Sequence, residues 1–109
     1  MTKLRRHEFE DQTLTDFSLD SKNITLKIKC WNEDADRTTQ ELVVFTNIDN
    51  LEIDSVSASD IEMLSKDGEI IHFEVSNHRV LLIIIWHDNA REMQITKSYK
   101  FSYSDERTS

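Results

Sequence analysis

The sequence has no proline, a single glycine at Gly68 and a single cysteine at Cys30. One glycine cannot supply the Gly-rich loops that cradle phosphates in dinucleotide and nucleoside-triphosphate sites, so those designs are excluded. One cysteine permits neither an internal disulfide nor a thiolate zinc cluster, which fits a reducing, cytoplasmic setting. Long apolar runs are missing as well. The longest, Val80 to Trp86, is seven residues, against roughly 20 for a membrane helix. The basic opening from Met1 to Glu8 lacks the apolar stretch of a secretory signal. Positive charge is scarce: 13 Lys and Arg face 21 Asp and Glu, for a formal charge of −8. That balance opposes nucleic acids and anionic membranes, both of which bind through Lys and Arg on phosphate. No motif names a reaction, so no enzyme activity and no cofactor are expected.

What the chain does carry is period-2 patterning over most of its 109 residues. Thr13 to Asp20 reads as a strand with a bulge near Asp16, because Leu14 is out of phase with Phe17 and Leu19. Asp20-Ser21-Lys22-Asn23 forms a hairpin turn into a half-buried strand, where Ile24, Leu26, Ile28 and Cys30 alternate with polar residues. Leu42 to Phe45 and Leu51 to Val56 are further strands, separated by a turn at Ile48-Asp49-Asn50. Ile71, Phe73 and Val75 share one face of the next strand. Asn77-His78 then turns into Arg79 to His87, apolar on both faces and expected at the sheet centre. Met93, Ile95, Tyr99, Phe101 and Tyr103 alternate along the last strand. The expected fold is mostly β, an antiparallel meander of about seven strands, as a curled sheet or sandwich. It forms a single β-rich domain over 1–109, with 1–8 and 104–109 as tails, and shows no repeat with a period of 20 to 50 residues.

One segment departs from this pattern. Ser59-Asp60-Ile61-Glu62 has the capping-box form, and Ala58 and Met63 occupy the staple positions. A short helix over 60–66 is expected, with Gly68 ending it at positive φ. The competing assignment is a hairpin strand turning at Asp67-Gly68.

Carboxylates dominate the candidate chemistry. Asp49, Glu52, Asp54, Asp60, Glu62, Asp67 and Glu69 face Lys66 alone, so this stretch carries −6 of the total −8. Such a run is either a solvated face that keeps a β protein from pairing edge to edge, or a docking surface that steers a basic partner. Glu33, Asp34 and Asp36 extend it. Asp34-Ala35-Asp36 lacks the further oxygens and the Gly of a calcium loop, so no metal is expected. His72, His87 and Asp88 form the alternative set, an acid–base or zinc-binding group in a small enzyme or ligand-binding domain. Cys30 reads as a small core residue. The Tyr99, Phe101 and Tyr103 stripe reads as core in preference to a base-stacking platform. Trp31, on the polar phase of its strand, either covers the charged loop or anchors a partner. A third possibility is a subunit of a larger assembly, which an exposed long edge strand would reveal.

Phe9-Glu10-Asp11-Gln12-Thr13-Leu14-Thr15-Asp16-Phe17-Ser18-Leu19-Asp20, followed by Ile24-Thr25-Leu26-Lys27-Ile28, resembles the opening of small acidic bacterial immunity proteins of the toxin–immunity type. Val43-Val44-Phe45-Thr46-Asn47-Ile48-Asp49 resembles their third strand. The resemblance implies a protein that binds and blocks a cognate toxin, commonly a nuclease, without activity of its own; a monomer is expected. It supplies no position-specific contacts. Its charge logic agrees with the acidic run, since a nuclease site that holds phosphate is itself basic.

Overall fold

The computed structural model describes residues 11–32, 37–88 and 92–108. They form nine antiparallel strands: β1 (Thr13–Asp20), β2 (Asn23–Asn32), β3 (Arg37–Thr46), β4 (Asp49–Ile53), β5 (Val56–Ser57), β6 (Gly68–Ser76), β7 (Arg79–Asp88), β8 (Met93–Ser102) and β9 (Asp105–Thr108). The meander of about seven strands is therefore corrected to nine. The two that period-2 reading missed are β5, two residues long, and β9, four charged or polar residues with no apolar phase. Residues 105–108, expected as part of a tail, pair with β3. Both terminal strands of the sheet are short, and β9 pairs with Val43–Thr46 alone of the ten residues of β3.

The strand order is β5-β4-β8-β7-β6-β1-β2-β3-β9. It contains two three-stranded meanders, β1-β2-β3 and β6-β7-β8, joined where β1 meets β6 at Thr13↔Glu69 and Leu14↔Gly68. Each meander then gives its following strand to the other: β4 pairs with β8, and β9 pairs with β3. The strand positions repeat at a constant interval. Asn23 and Arg79, Arg37 and Met93, and Asp49 and Asp105 open equivalent strands, each pair 56 positions apart. The bulges between Leu14 and Asp16 and between Ile70 and His72 obey the same interval. So do the turns Ser21-Lys22 and Asn77-His78, all four residues at positive φ as tight hairpins with right-handed strand twist require. Phe17, Leu26, Ile28 and Phe45 match Phe73, Leu82, Ile84 and Phe101 in type and in burial. The chain is a two-fold repetition of one 56-residue plan, an interval just outside the range expected of repeats from the sequence.

Aromatic side chains show that the sheet folds over on itself. Phe17 of β1 meets Tyr99 of β8 edge-on at 4.9 Å, and Phe45 of β3 meets Phe101 of β8 at 5.4 Å. These strands are not neighbours in the sheet, so the rings close the gap between two facing layers. The buried phase of every long strand contributes to this core, including Tyr99, Phe101 and Tyr103, while Cys30 packs against its margin. Met93, expected in the same stripe, is instead 50% exposed. β7 lies inside the sheet, flanked by β6 and β8, although β6 takes the middle place. Only one phase of β7 is fully buried (Val80, Leu82, Ile84 and Trp86), and Leu81, Ile83 and Ile85 point outward, half-buried.

No helix forms over 60–66; residues 58–67 run as bends and irregular chain. A seven-residue helix is marginal on its own, and tertiary contacts decide the matter. Ile61 is buried, with Met63 and Leu64 packed against the core; a helix would put Ile61 and Leu64 on one face but turn Met63 away from it. The hairpin alternative fails too, since Gly68 opens β6 and does not have positive φ. Gly68 is required by space: a Cβ there would stand 2.6 Å from Ile84 Cγ2 and 2.9 Å from the Trp86 ring.

Candidate functional site

The connector between the two repeats, residues 54–67, carries most of the acidic run. It begins at the β4–β5 turn, where Asp54 and Ser55 both take positive φ. Asp54 serves the fold directly. Its backbone N–H donates to the Ser98 carbonyl at 2.8 Å. Its Oδ1 accepts from the Ser98 N–H at 2.9 Å, and its Oδ2 lies 3.1 Å from Lys97 Nζ. The Ser98 N–H first, and Lys97 second, hold the Asp54 carboxyl below the usual carboxylate range. This carboxylate clamps the β4–β5 hairpin onto β8.

Beyond the hairpin the connector is pinned at three points. Ala58 N–H donates to the Leu51 carbonyl at 3.0 Å, Ile61 is inserted into the core, and Ser65 Oγ donates to the His87 carbonyl at 2.6 Å. Asp60 Oδ1 accepts from the Ile61 N–H at 2.8 Å, which sets the bend that turns Ile61 inward. The polar residues between the anchors are left facing solvent. Two shallow clefts of about 400 Å³ flank Asp60. One also holds Asp20, Lys22 and Asp49; the other holds Glu62, Leu64, Lys97 and Tyr99. At the floor of the second, the Tyr99 hydroxyl accepts from Trp86 Nε1 at 3.0 Å. Burial first, and then the negative charges of Asp54 and Glu62, push this phenol upward, against the lowering effect of the Trp86 bond.

The structure thus brings together only part of the predicted acidic set. Asp49 and Asp60 line one cleft with Lys22, and Asp60 and Glu62 line the other with Lys97; among the described residues none of the three carboxylates has a Lys or Arg within ion-pair distance. Asp54 stands beside them but is neutralised by Lys97. Glu52 lies apart, on the outward face of the sheet opposite Lys100. Glu69 lies 4.0 Å from His87, and Asp67 is exposed immediately before β6. Glu33, Asp34 and Asp36 lie outside the described residues, as does the side chain of Trp31. Sequence reading missed Asp20. This residue ends β1, and it reaches the connector because the Ile48 N–H bonds to the Lys22 carbonyl, folding the β1–β2 turn against the start of β4. No local pattern signals that contact.

The histidines do not converge. His72 pairs opposite Ile83, four residues before His87 on β7, a separation of about 13 Å along the strand at roughly 3.3 Å per residue. Each imidazole has its own carboxylate: His72 lies 4.0 Å from Glu74, and His87 lies 4.0 Å from Glu69. Asp88 ends β7 with its side chain outside the described set. Among the described residues no group of three His, Cys, Asp or Glu is placed to hold a metal ion.

The role of Asp54 makes a pH-dependent prediction. Its folded pKa lies below the ordinary value near 3.9. Its contribution to stability is therefore present above that value and is lost as pH falls through the lowered one. Asp54→Asn keeps a residue that tolerates positive φ while removing the charge. We expect the variant to be slightly less stable than wild type at pH 7, a small effect because the site is solvated. Urea melts at pH 7, 4 and 3 should show the difference closing as the pH drops.

Comparisons with protein-family models, curated proteins and solved structures find no match to this chain.

Proposed function

We propose that this protein is an immunity protein, which binds a basic, nuclease-like toxin domain in the cytoplasm and blocks it without chemistry of its own. The observation that carries the reading is the placement of Asp60 and Glu62 on an irregular connector anchored through Ile61, with Asp49, at the start of β4, lining one cleft with Asp60; among the described residues none of the three carboxylates has a Lys or Arg within ion-pair distance. An irregular segment can project side chains at angles that a strand forbids, while its anchors spare the entropy of ordering it on binding. Asp20 enlarges the negative surface. Phosphate-binding sites present clustered Lys and Arg, so the charges are complementary, and such surfaces accelerate encounter as well as selecting the partner. The resemblance of the first half to immunity proteins supports the same class.

The test pairs the chain with a basic nuclease-type toxin domain encoded beside it. Asp49→Lys, Asp60→Lys and Glu62→Lys together should weaken binding by about 100-fold or more, chiefly through slower association, and should flatten its salt dependence. Circular dichroism and a thermal melt check that the variant is folded. Unchanged affinity in a folded triple variant would refute this surface.

A further inference from the structure

We infer that the outward face of β6, β7 and β8 is the contact face of a homodimer, a departure from the monomer expected from the sequence. The internal repeat supplies the first argument. β2 and β7 occupy equivalent places, and their outward positions correspond at the 56-residue interval. On β2 these are Thr25, Lys27 and Lys29, a solvent-facing set; on β7 they are Leu81, Ile83 and Ile85. The fold therefore does not require apolar residues at these positions, because its own other half does without them. Ile71, at the β6 bulge, adds to the stripe and is 37% exposed. Four aliphatic side chains in one outward patch, where the equivalent strand carries lysines, mark a surface that meets protein.

Charge decides which protein. The register aligns Lys100 on β8, Leu81 on β7 and Glu74 on β6 in one row across the sheet. A two-fold axis running along β7 lays one sheet face to face on its copy. It stacks Leu81 on Leu81 and Ile83 on Ile83, and it brings each Lys100 over the other copy's Glu74. The Lys100–Leu81–Glu74 row is complementary to itself, as a symmetric dimer requires, while Arg79, in the same outward phase at the end of β7, faces its own copy at the solvated rim; sheets pack in this aligned manner. A uniformly basic or acidic partner would meet a like charge on one flank. The row also lines a groove of about 740 Å³ rimmed by Arg79 and Glu52, which leaves room for the opposing side chains.

Sedimentation equilibrium over a concentration series tests this. Wild type should approach twice its 12.9 kDa mass. Ile83→Lys installs the residue type that β2 carries at the equivalent position, so the fold should survive while the dimer dissociates. Lys100→Glu should weaken association at least tenfold, and adding Glu74→Lys to it should restore the dimer. A wild type that stays monomeric at all concentrations overturns the inference, and so does a dimer that withstands both Ile83→Lys and Lys100→Glu. The measurement needs no toxin, so its outcome is independent of the immunity reading.

Discussion

Replacing Phe45 with alanine is expected to cost about 3–5 kcal/mol, the range for deleting a fully buried aromatic ring. Phe45 has no exposed surface. Its ring meets Tyr103 at 4.8 Å, Phe101 at 5.4 Å and Phe73 at 6.5 Å. Those partners come from β6, β8 and the corner after β8, so this one side chain bridges the two layers at the point where strands are exchanged. The surrounding rings are held by their own strands and cannot collapse into the vacated space, which places the cost at the upper end of the range. Domains of this size are stable by about 5–15 kcal/mol, so the substitution consumes a large part of the total. Urea denaturation followed by tryptophan fluorescence should show a much lower midpoint. Phe45→Leu, which keeps most of the volume, should lose far less.

The second large effect has the opposite cause. Gly68→Ala adds one methyl group where Ile84 Cγ2 lies 2.6 Å away and the Trp86 ring 2.9–3.0 Å away. Both neighbours are fully buried, and Trp86 is tied by its Nε1 bond to Tyr99. Neither can withdraw without disturbing its own packing. Overpacking of this kind costs about 1–3 kcal/mol, and the rigidity of both neighbours argues for the higher figure. The repeat explains the demand. In the first half the equivalent pair is Gln12 and Cys30, and in the second it is Gly68 and Trp86. Trp86 therefore takes up space that the first half leaves to a larger residue across the pair. In a Trp86→Phe background the penalty of Gly68→Ala should shrink, and a double-mutant cycle would measure that coupling.

Gly68 also shows how sequence reading went astray. A lone glycine after a capping-box sequence has the appearance of a helix stop, and local patterns offer no hint that the residue lies beneath a tryptophan eighteen positions later. The connector was misread for a related reason. Ser59 and Glu62 are spaced for a capping box, but the spacing of Ile61, Met63 and Leu64 suits a chain pressed down at consecutive points. Burial of those side chains outweighs the small gain of a short capped helix.

Some features were dictated by residues close together in the chain. The β1 bulge follows from the phase break at Leu14, and the hairpin turns follow from Ser21-Lys22 and Asn77-His78. Alternation sets the inward phase of most long strands, but at the β6 bulge it fails: Ile71, expected on the face of Phe73 and Val75, points outward, and Ile70 is buried in its place. All of these are local, because the two-residue period and the turn chemistry act over a few bonds. Alternation says which way a side chain points and nothing about which strand lies alongside. Partner choice is the work of contacts made over long sequence separations, so the exchange of β4 and β9, the junction of β1 with β6 and the 56-residue repetition emerged only in the folded molecule. The charges divide in the same way. Composition alone determined that the protein is strongly acidic. Only the tertiary arrangement decided that Asp54 is neutralised by Lys97, that Glu52 belongs to another face, and that Asp20, Asp49 and Asp60 line one cleft with Glu62 in the next, because proximity among surface charges depends on how distant segments are brought together and not on their order in the chain.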